Sequence, residues 1–178
     1  MRIEGNPVDN EAVFHEQMME PIPDNVLFAY NDRQREWFKN VYGGKCQGGS
    51  IGMKHKCGGD IQIHHIEPQQ YLYAQGKAED EVDREDNGFP LCADAHVGSR
   101  GTQDCIHPDQ REAQLAFVNG DKDAYRKVQE RRNMMAQSGV IYWNDRWDSN
   151  IRGMVRNKLD RWNKNKGEPF PKKHHRYQ

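Results

Sequence analysis

Apolar residues along this chain come in short clusters separated by polar, glycine-rich stretches. From Arg33 to Tyr42, Trp37, Phe38 and Val41 recur at helical spacing; Asn31-Asp32 can cap that helix and Gly43-Gly44 can end it. Lys45 to Gly59 is glycine-rich and reads as a loop bounded by Cys46 and Cys57. Asp60-Ile61-Gln62-Ile63-His64-His65-Ile66 alternates apolar and polar side chains as a half-buried strand does, and Pro68 stops it. Gln69 to Gly76 predicts a short helix or turn, followed by an acidic loop that ends at Asp86-Asn87. Phe89-Pro90-Leu91 predicts a second short strand, and Cys92 to Val97 a short helix limited by Gly98.

Beyond Gly98 the pattern turns helical. Pro108-Asp109 opens a helix to Val118, with proline suited to the first helical position. Asp121 caps a second helix to Gln137, and Ser138-Gly139 breaks it. Val140-Ile141-Tyr142-Trp143 is a short extended run. Asp148-Ser149 caps a last helix to Asn165, in which Trp147, Ile151, Met154, Val155, Leu159 and Trp162 form a buried stripe. The expected organisation is an acidic irregular arm over 1–30, a small α+β core over 31–108, a helical basic region over 109–165 and a mobile basic tail over 166–178. No internal repeat is visible.

Composition sharpens this picture. Hydrophobic residues make up 35% of the 178 and mean hydropathy is −1.11, so the apolar core is modest and gains from a metal staple or a partner. No apolar run reaches the ~20 residues a bilayer span needs, and the opening Met1-Arg2-Ile3-Glu4-Gly5-Asn6 lacks the apolar stretch of a secretory signal. A cytoplasmic location without membrane contact is therefore expected. In that reducing compartment Cys46, Cys57, Cys92 and Cys105 read as metal ligands ahead of disulfides. The net charge of −1 conceals a segregation: residues 121–178 carry 15 Lys/Arg against 7 Asp/Glu. Such a basic region suits a polyanionic partner, DNA foremost, although a solvated helical surface accounts for it equally well.

Two short stretches bear the candidate chemistry: His64-His65-Ile66-Glu67-Pro68, and Asn87 through Cys92 to His96. One histidine of the pair can hold a metal while its neighbour takes a proton from water; the asparagine can fix the loop between, and His96 can close the metal site. Each piece alone is ordinary, since paired histidines are usually filler and asparagine is a common turn residue. Together, over residues 46–96, they resemble the cysteine-bearing branch of the HNH endonuclease family. That branch reads histidine-histidine-isoleucine-x-proline, an asparagine five residues before a cysteine, then cysteine-x-x-cysteine-histidine. Asn87 lies five positions before Cys92 and His96 four after it. Downstream, His107-Pro108-Asp109 is similar to an element of phage-like members.

The resemblance implies a ββα-metal core and metal-dependent hydrolysis, by cleavage or nicking, of DNA phosphodiester bonds. His65 would be the general base, and His64 and His96 would hold a divalent ion, Mg2+ or Mn2+ with Zn2+ or Ni2+ as alternatives. Asn87 would pin the loop and orient His65. Adjacent strand residues point to opposite faces, so the two histidines share a site only if the strand bends or ends there. The resemblance also implies a structural zinc between two cysteine pairs, and here the chain departs twice. The first pair is stretched to Cys46 and Cys57, and Ala95 stands where a cysteine is expected. Cys105 is the leading fourth ligand beside Cys46, Cys57 and Cys92, with His55 and His107 behind it. His107 is also a candidate extra ligand or phosphate contact at the catalytic metal, with a plain helix-start residue ahead of Pro108 an equal alternative, and Arg100, Arg152, Arg156 and Lys158 are candidates for phosphate contact. Two rival readings stand beside an active nuclease: a non-catalytic nucleic-acid-binding module on the same scaffold, and a subunit active only with a partner protein or guide complex. Recognition sequence, nicking against double-strand cleavage and oligomeric state are not legible.

Overall fold

A computed structural model describes residues 30–99, 102–141 and 145–173. The expected irregular arm over 1–29, Arg100, Tyr142, Trp143 and residues 174–178 lie outside them. The protein is α+β, with helices packed around a two-stranded antiparallel sheet. Helix α1 (Asp32–Tyr42) begins at Asn31, whose side chain accepts from Gln34 N while the Gln34 side chain accepts from Asn31 N. This reciprocal cap satisfies two of the amide groups a helix start leaves orphaned. The loop after it holds one 3-10 turn (Gly49–Ile51).

Strand β1 (Ile61–His65) pairs with β2 (Gly88–Cys92), with Ile61 opposite Cys92 and His65 opposite Gly88. Between them lie α2 (Gln69–Ala74), α3 (Glu79–Val82) and a 3-10 turn (Glu85–Asn87). The acidic stretch is thus partly helical instead of a plain loop, because Val82 is fully buried and needs an ordered backbone to carry it inward. Gly88 is required: a Cβ there would come within 2.5 Å of the Phe38 ring. Helix α4 (Ala93–His96) is a single turn starting from Cys92. Helix α5 (Pro108–Val118) has the bounds its sequence predicts. Helix α6 (Ala124–Gln137) starts two residues later than expected: Asp121 accepts from Asp123 N in the preceding turn and is not itself the cap. Helix α7 (Asp145–Lys164) starts earlier than expected, and Asp148 lies within it, bonded to Arg152 one turn on at 2.9 Å.

One core joins the two halves of the chain. Trp37, Phe38 and Tyr42 of α1 meet Phe89 and Leu91 of β2 and Trp147, Ile151 and Val155 of α7. The apolar stripe of the last helix is therefore core, and the basic helical region is not separate from the sheet. A smaller cluster, Ala113 with Tyr125, holds α5 to α6. Residues 166–173 correct the expectation of a mobile tail. Trp37 and Trp162 both donate to Glu168 O at 2.8 Å, Gln34 donates to Pro171 O, and Phe170 sits edge-on to Trp37. Proline and lysine here suggested mobility, but the buried Trp37 indole N–H needs an acceptor and this segment supplies it. No helix among the described residues is long and apolar enough to cross a membrane.

Candidate metal centres

Two groups of side chains converge, one on each side of the short helix α4. The first is Cys46, His55, Cys57 and Cys92, whose donor atoms all lie within 4.8 Å of one another. Gln47 N donates to Pro90 O, tying the loop after α1 to β2, and Ala93 and Asp94 donate to Asp60 O and Gly58 O. Cys92 sits at the start of α4 and its Sγ accepts from Ala95 N. His55 Nε2 lies 3.5 Å from Cys46 Sγ and 3.3 Å from Cys57 Sγ. A tetrahedral ion with bonds of about 2.3 Å to sulfur and about 2.0 Å to nitrogen sets S···N edges near about 3.5 Å, so this group has the size of a zinc shell. Gly48 makes room: a Cβ there would fall 2.7 Å from the His55 ring. The Cys92 thiol is pushed down, first by the hydrogen bond from Cys46 and then by N–H groups of Gly58 and Ala95, against the upward push of burial.

The fourth member is His55, and the leading expectation for Cys105 is corrected. Cys105 is buried, but its sulfur packs against Gly98 beside Arg111 and is not among the donors that converge here. The loop before it does fold back, since Asp104 N donates to Lys54 O, yet the fourth donor comes from His55 in the Lys45–Gly59 loop.

The second group is His64, His96 and His107, with donor atoms likewise within 4.8 Å. His64 is delivered by β1, His96 by the end of α4 and His107 by the residue preceding α5. The pairs Ile106 N to Ala95 O and His107 N to His96 O clamp the last two together. His64 Nδ1 stands 3.3 Å from His96 Nε2, close to the N···N edge of about 3.3 Å around a tetrahedral ion. His96 Nδ1 faces Gln62 Oε1 at 2.6 Å, so Nδ1–H donates to that oxygen and Nε2 keeps its lone pair toward His64. Burial, then the charges of His65 and Arg132, push the His64 pKa down to about 3, so this imidazole is neutral, the form that ligates a metal. Arg132 lies 3.3 Å from His107 Nδ1 and is ion-paired to Asp109 at 2.9 Å. A guanidinium only donates, so this contact leaves neutral His107 with its proton on Nε2. His107 thus offers an N–H more readily than a lone pair.

His65 stands apart from this trio. Its Nε2 meets Asp83 Oδ1 at 2.7 Å, its ring stacks on Tyr30 with centroids 4.9 Å apart, and the residue is 8% exposed. Asp83 Oδ2 in turn meets Lys173 Nζ. Burial raises the Asp83 carboxyl pKa, but the hydrogen bonds and charges of His65 and Lys173 outweigh it and leave the group below its usual value. Asn87 holds the turn beneath: its Oδ1 accepts from Glu67 N at 2.7 Å, and its Nδ2 donates to Glu67 O and Val82 O.

The basic candidates separate. Arg152 is bonded to Asp148 and lies 4.0 Å from Glu67, and with Arg156 it lines a groove of about 900 Å3 opposite Asp80, Glu85 and Asp86. Lys158 lines another, of about 600 Å3, with Arg161 and Ser50. Sequence reasoning missed Gln62, Asp83, Arg132 and Lys173. Gln62 was within reach, two residues before His64 and so on the same strand face; nothing local marks the other three. The fold and these centres define an α+β protein with two side-chain groups able to hold metal ions. The chain matches no family model, and no curated protein or solved structure is significantly similar to it.

Proposed function

We propose that this protein is a metal-dependent endonuclease of the HNH type, in which β1, β2 and α4 form the ββα-metal unit and DNA is cleaved or nicked by hydrolysis. The observation that carries the reading is the convergence of His64, His96 and His107 from three separate elements, with His65 the residue that follows His64 at the end of β1. A divalent ion held by His64 and His96 would stabilise the charge that develops on the scissile phosphate. His107 offers its N–H to a phosphate oxygen. His65, with Nε2 donating to Asp83, keeps Nδ1 as the basic atom that takes the proton from the attacking water. Asn87 keeps the His65-Ile66-Glu67 backbone in place. Cys46, His55, Cys57 and Cys92 suit zinc, because three thiolates and an imidazole form a closed soft-donor set. Arg156 and Lys158 of α7 would meet phosphates, Lys158 from its place over the Tyr42 ring at 6.0 Å.

The test is conversion of supercoiled plasmid to nicked or linear form with Mg2+ or Mn2+, comparing wild type with His65→Ala. Cleavage that falls at least a hundredfold in the variant supports the reading, in line with the ~10^2–10^4 general-base catalysis supplies. One observation favours a second reading, a nucleic-acid-binding module without cleavage: His65 is nearly buried and its Nε2 is already engaged. DNA binding with no cleavage under either metal would select that reading.

A further inference from the structure

We propose that Lys173 is a positioning residue of the nuclease site: by clamping Asp83 from behind it fixes the imidazole of His65, so the segment after the last helix is part of the active centre. The inference rests on the endonuclease reading for its consequence and on geometry for its substance. Helix α7 ends at Lys164, and the chain turns back through Lys166, at a φ of 54°, and Gly167. Hydrogen bonds from Trp37 and Gln34 then lay residues 168–171 along α1, a third comes from Trp162 of α7, and Phe170 enters the aromatic cluster of Tyr30, Trp37 and Phe38. Lys173 arrives with its ammonium 2.5 Å from Asp83 Oδ2 and 2.8 Å from Glu79 Oε1. Its side chain is 3% exposed and that of Asp83 1%.

A buried carboxylate needs donors at both oxygens. His65 Nε2–H serves Oδ1 and Lys173 serves Oδ2, so the carboxylate plane is fixed from two directions. The Tyr30 ring then closes one face of the imidazole, and Tyr30 is itself anchored by its hydroxyl on Arg84 O. The His65 ring therefore has one orientation and one tautomer. Stability does not explain the arrangement, because replacing a buried ion pair by apolar side chains of similar volume is often neutral or favourable. An ammonium brought into the interior from a distant part of the sequence, onto the carboxylate that holds His65 Nε2, is explained by the need to hold that imidazole still.

The test uses the full chain with Lys173→Met, Lys173→Ala and Asp83→Asn. Lys173→Met should lower the plasmid cleavage rate at saturating DNA about tenfold to hundredfold, the usual cost of losing an outer-shell partner, with half-saturating DNA unchanged. Ethylamine or propylamine should restore rate to Lys173→Ala and none to Asp83→Asn. Independently of cleavage, the His65 Nε2 proton should be a slowly exchanging downfield NMR signal in wild type, and should exchange at least tenfold faster in Lys173→Met while the amide spectrum stays folded. A wild-type rate and unchanged proton exchange in Lys173→Met overturn the proposal. A wild type that cleaves nothing overturns the nuclease reading instead, and the proton exchange then decides on Lys173 by itself.

Discussion

The two centres flank the same short helix, yet they are built for different work. The cysteine centre gathers four donors from the loop after α1 and from the start of α4, with nothing left over for a substrate. The histidine centre gathers three, and one of those, His107, already has its Nδ1 facing Arg132. A closed tetrahedral shell is the mark of a structural site and an incomplete one the mark of a site that exchanges ligands. Their surroundings differ accordingly. The thiols are held by backbone N–H groups and loop closures, which matter for folding. The histidines are oriented by side chains, Gln62 and Arg132, whose loss would leave the backbone intact.

The strongest way to break this comparison is to remove one donor from each centre. Cys92→Ser should abolish stoichiometric zinc and remove several kcal/mol of stability, because structural metal binding is folding free energy. His96→Ala should leave zinc content and the unfolding midpoint near wild type while abolishing metal-stimulated cleavage. Elemental analysis with chemical denaturation checks both. Equal losses of stability would show that the two centres do the same job.

Acid should act through His64. Unfolded His64 takes up a proton near pH 6.5, whereas the folded residue resists until about pH 3 because it is buried. Between those values the unfolded state binds more protons, so stability falls as pH falls, by up to about 1.4 kcal/mol per unit. Denaturant midpoints of wild type and His64→Gln between pH 7 and 4 check this. The variant should lose that part of the slope, and identical slopes would mean that His64 titrates normally.

Smaller changes sharpen the assignment of the fourth zinc ligand. Gly48→Ala should displace His55 and weaken zinc retention against a chelator, at a cost of about 1–2 kcal/mol typical of overpacking. Cys105→Ser should keep one zinc per chain and cost only about 1 kcal/mol for a buried hydroxyl with imperfect partners. Loss of zinc in Cys105→Ser would return that residue to the ligand set.

Local patterns in the sequence were enough for the helix cap at Asn31, the alternation that makes β1, the proline start of α5 and the apolar stripe of α7. Each depends on neighbours within one or two turns, where propensity and periodicity act directly. The histidine trio was partly legible for the same reason: His64 and His96 belong to recognisable elements, and His107 precedes a predicted helix. The choice of His55 over Cys105 was not legible. It depends on whether a glycine at 48 leaves space for a ring and on which way a sulfur turns at the end of a returning loop. The last residues show the limit most clearly. Composition marks 166–178 as a charged tail, and only packing brings Glu168 to Trp37 and Lys173 to Asp83, because those partners lie far away in the chain. By itself the sequence determined the elements and the residue types able to bind metal; the tertiary structure decided which donors meet and what holds His65, since those depend on distances between segments that no local interaction sets.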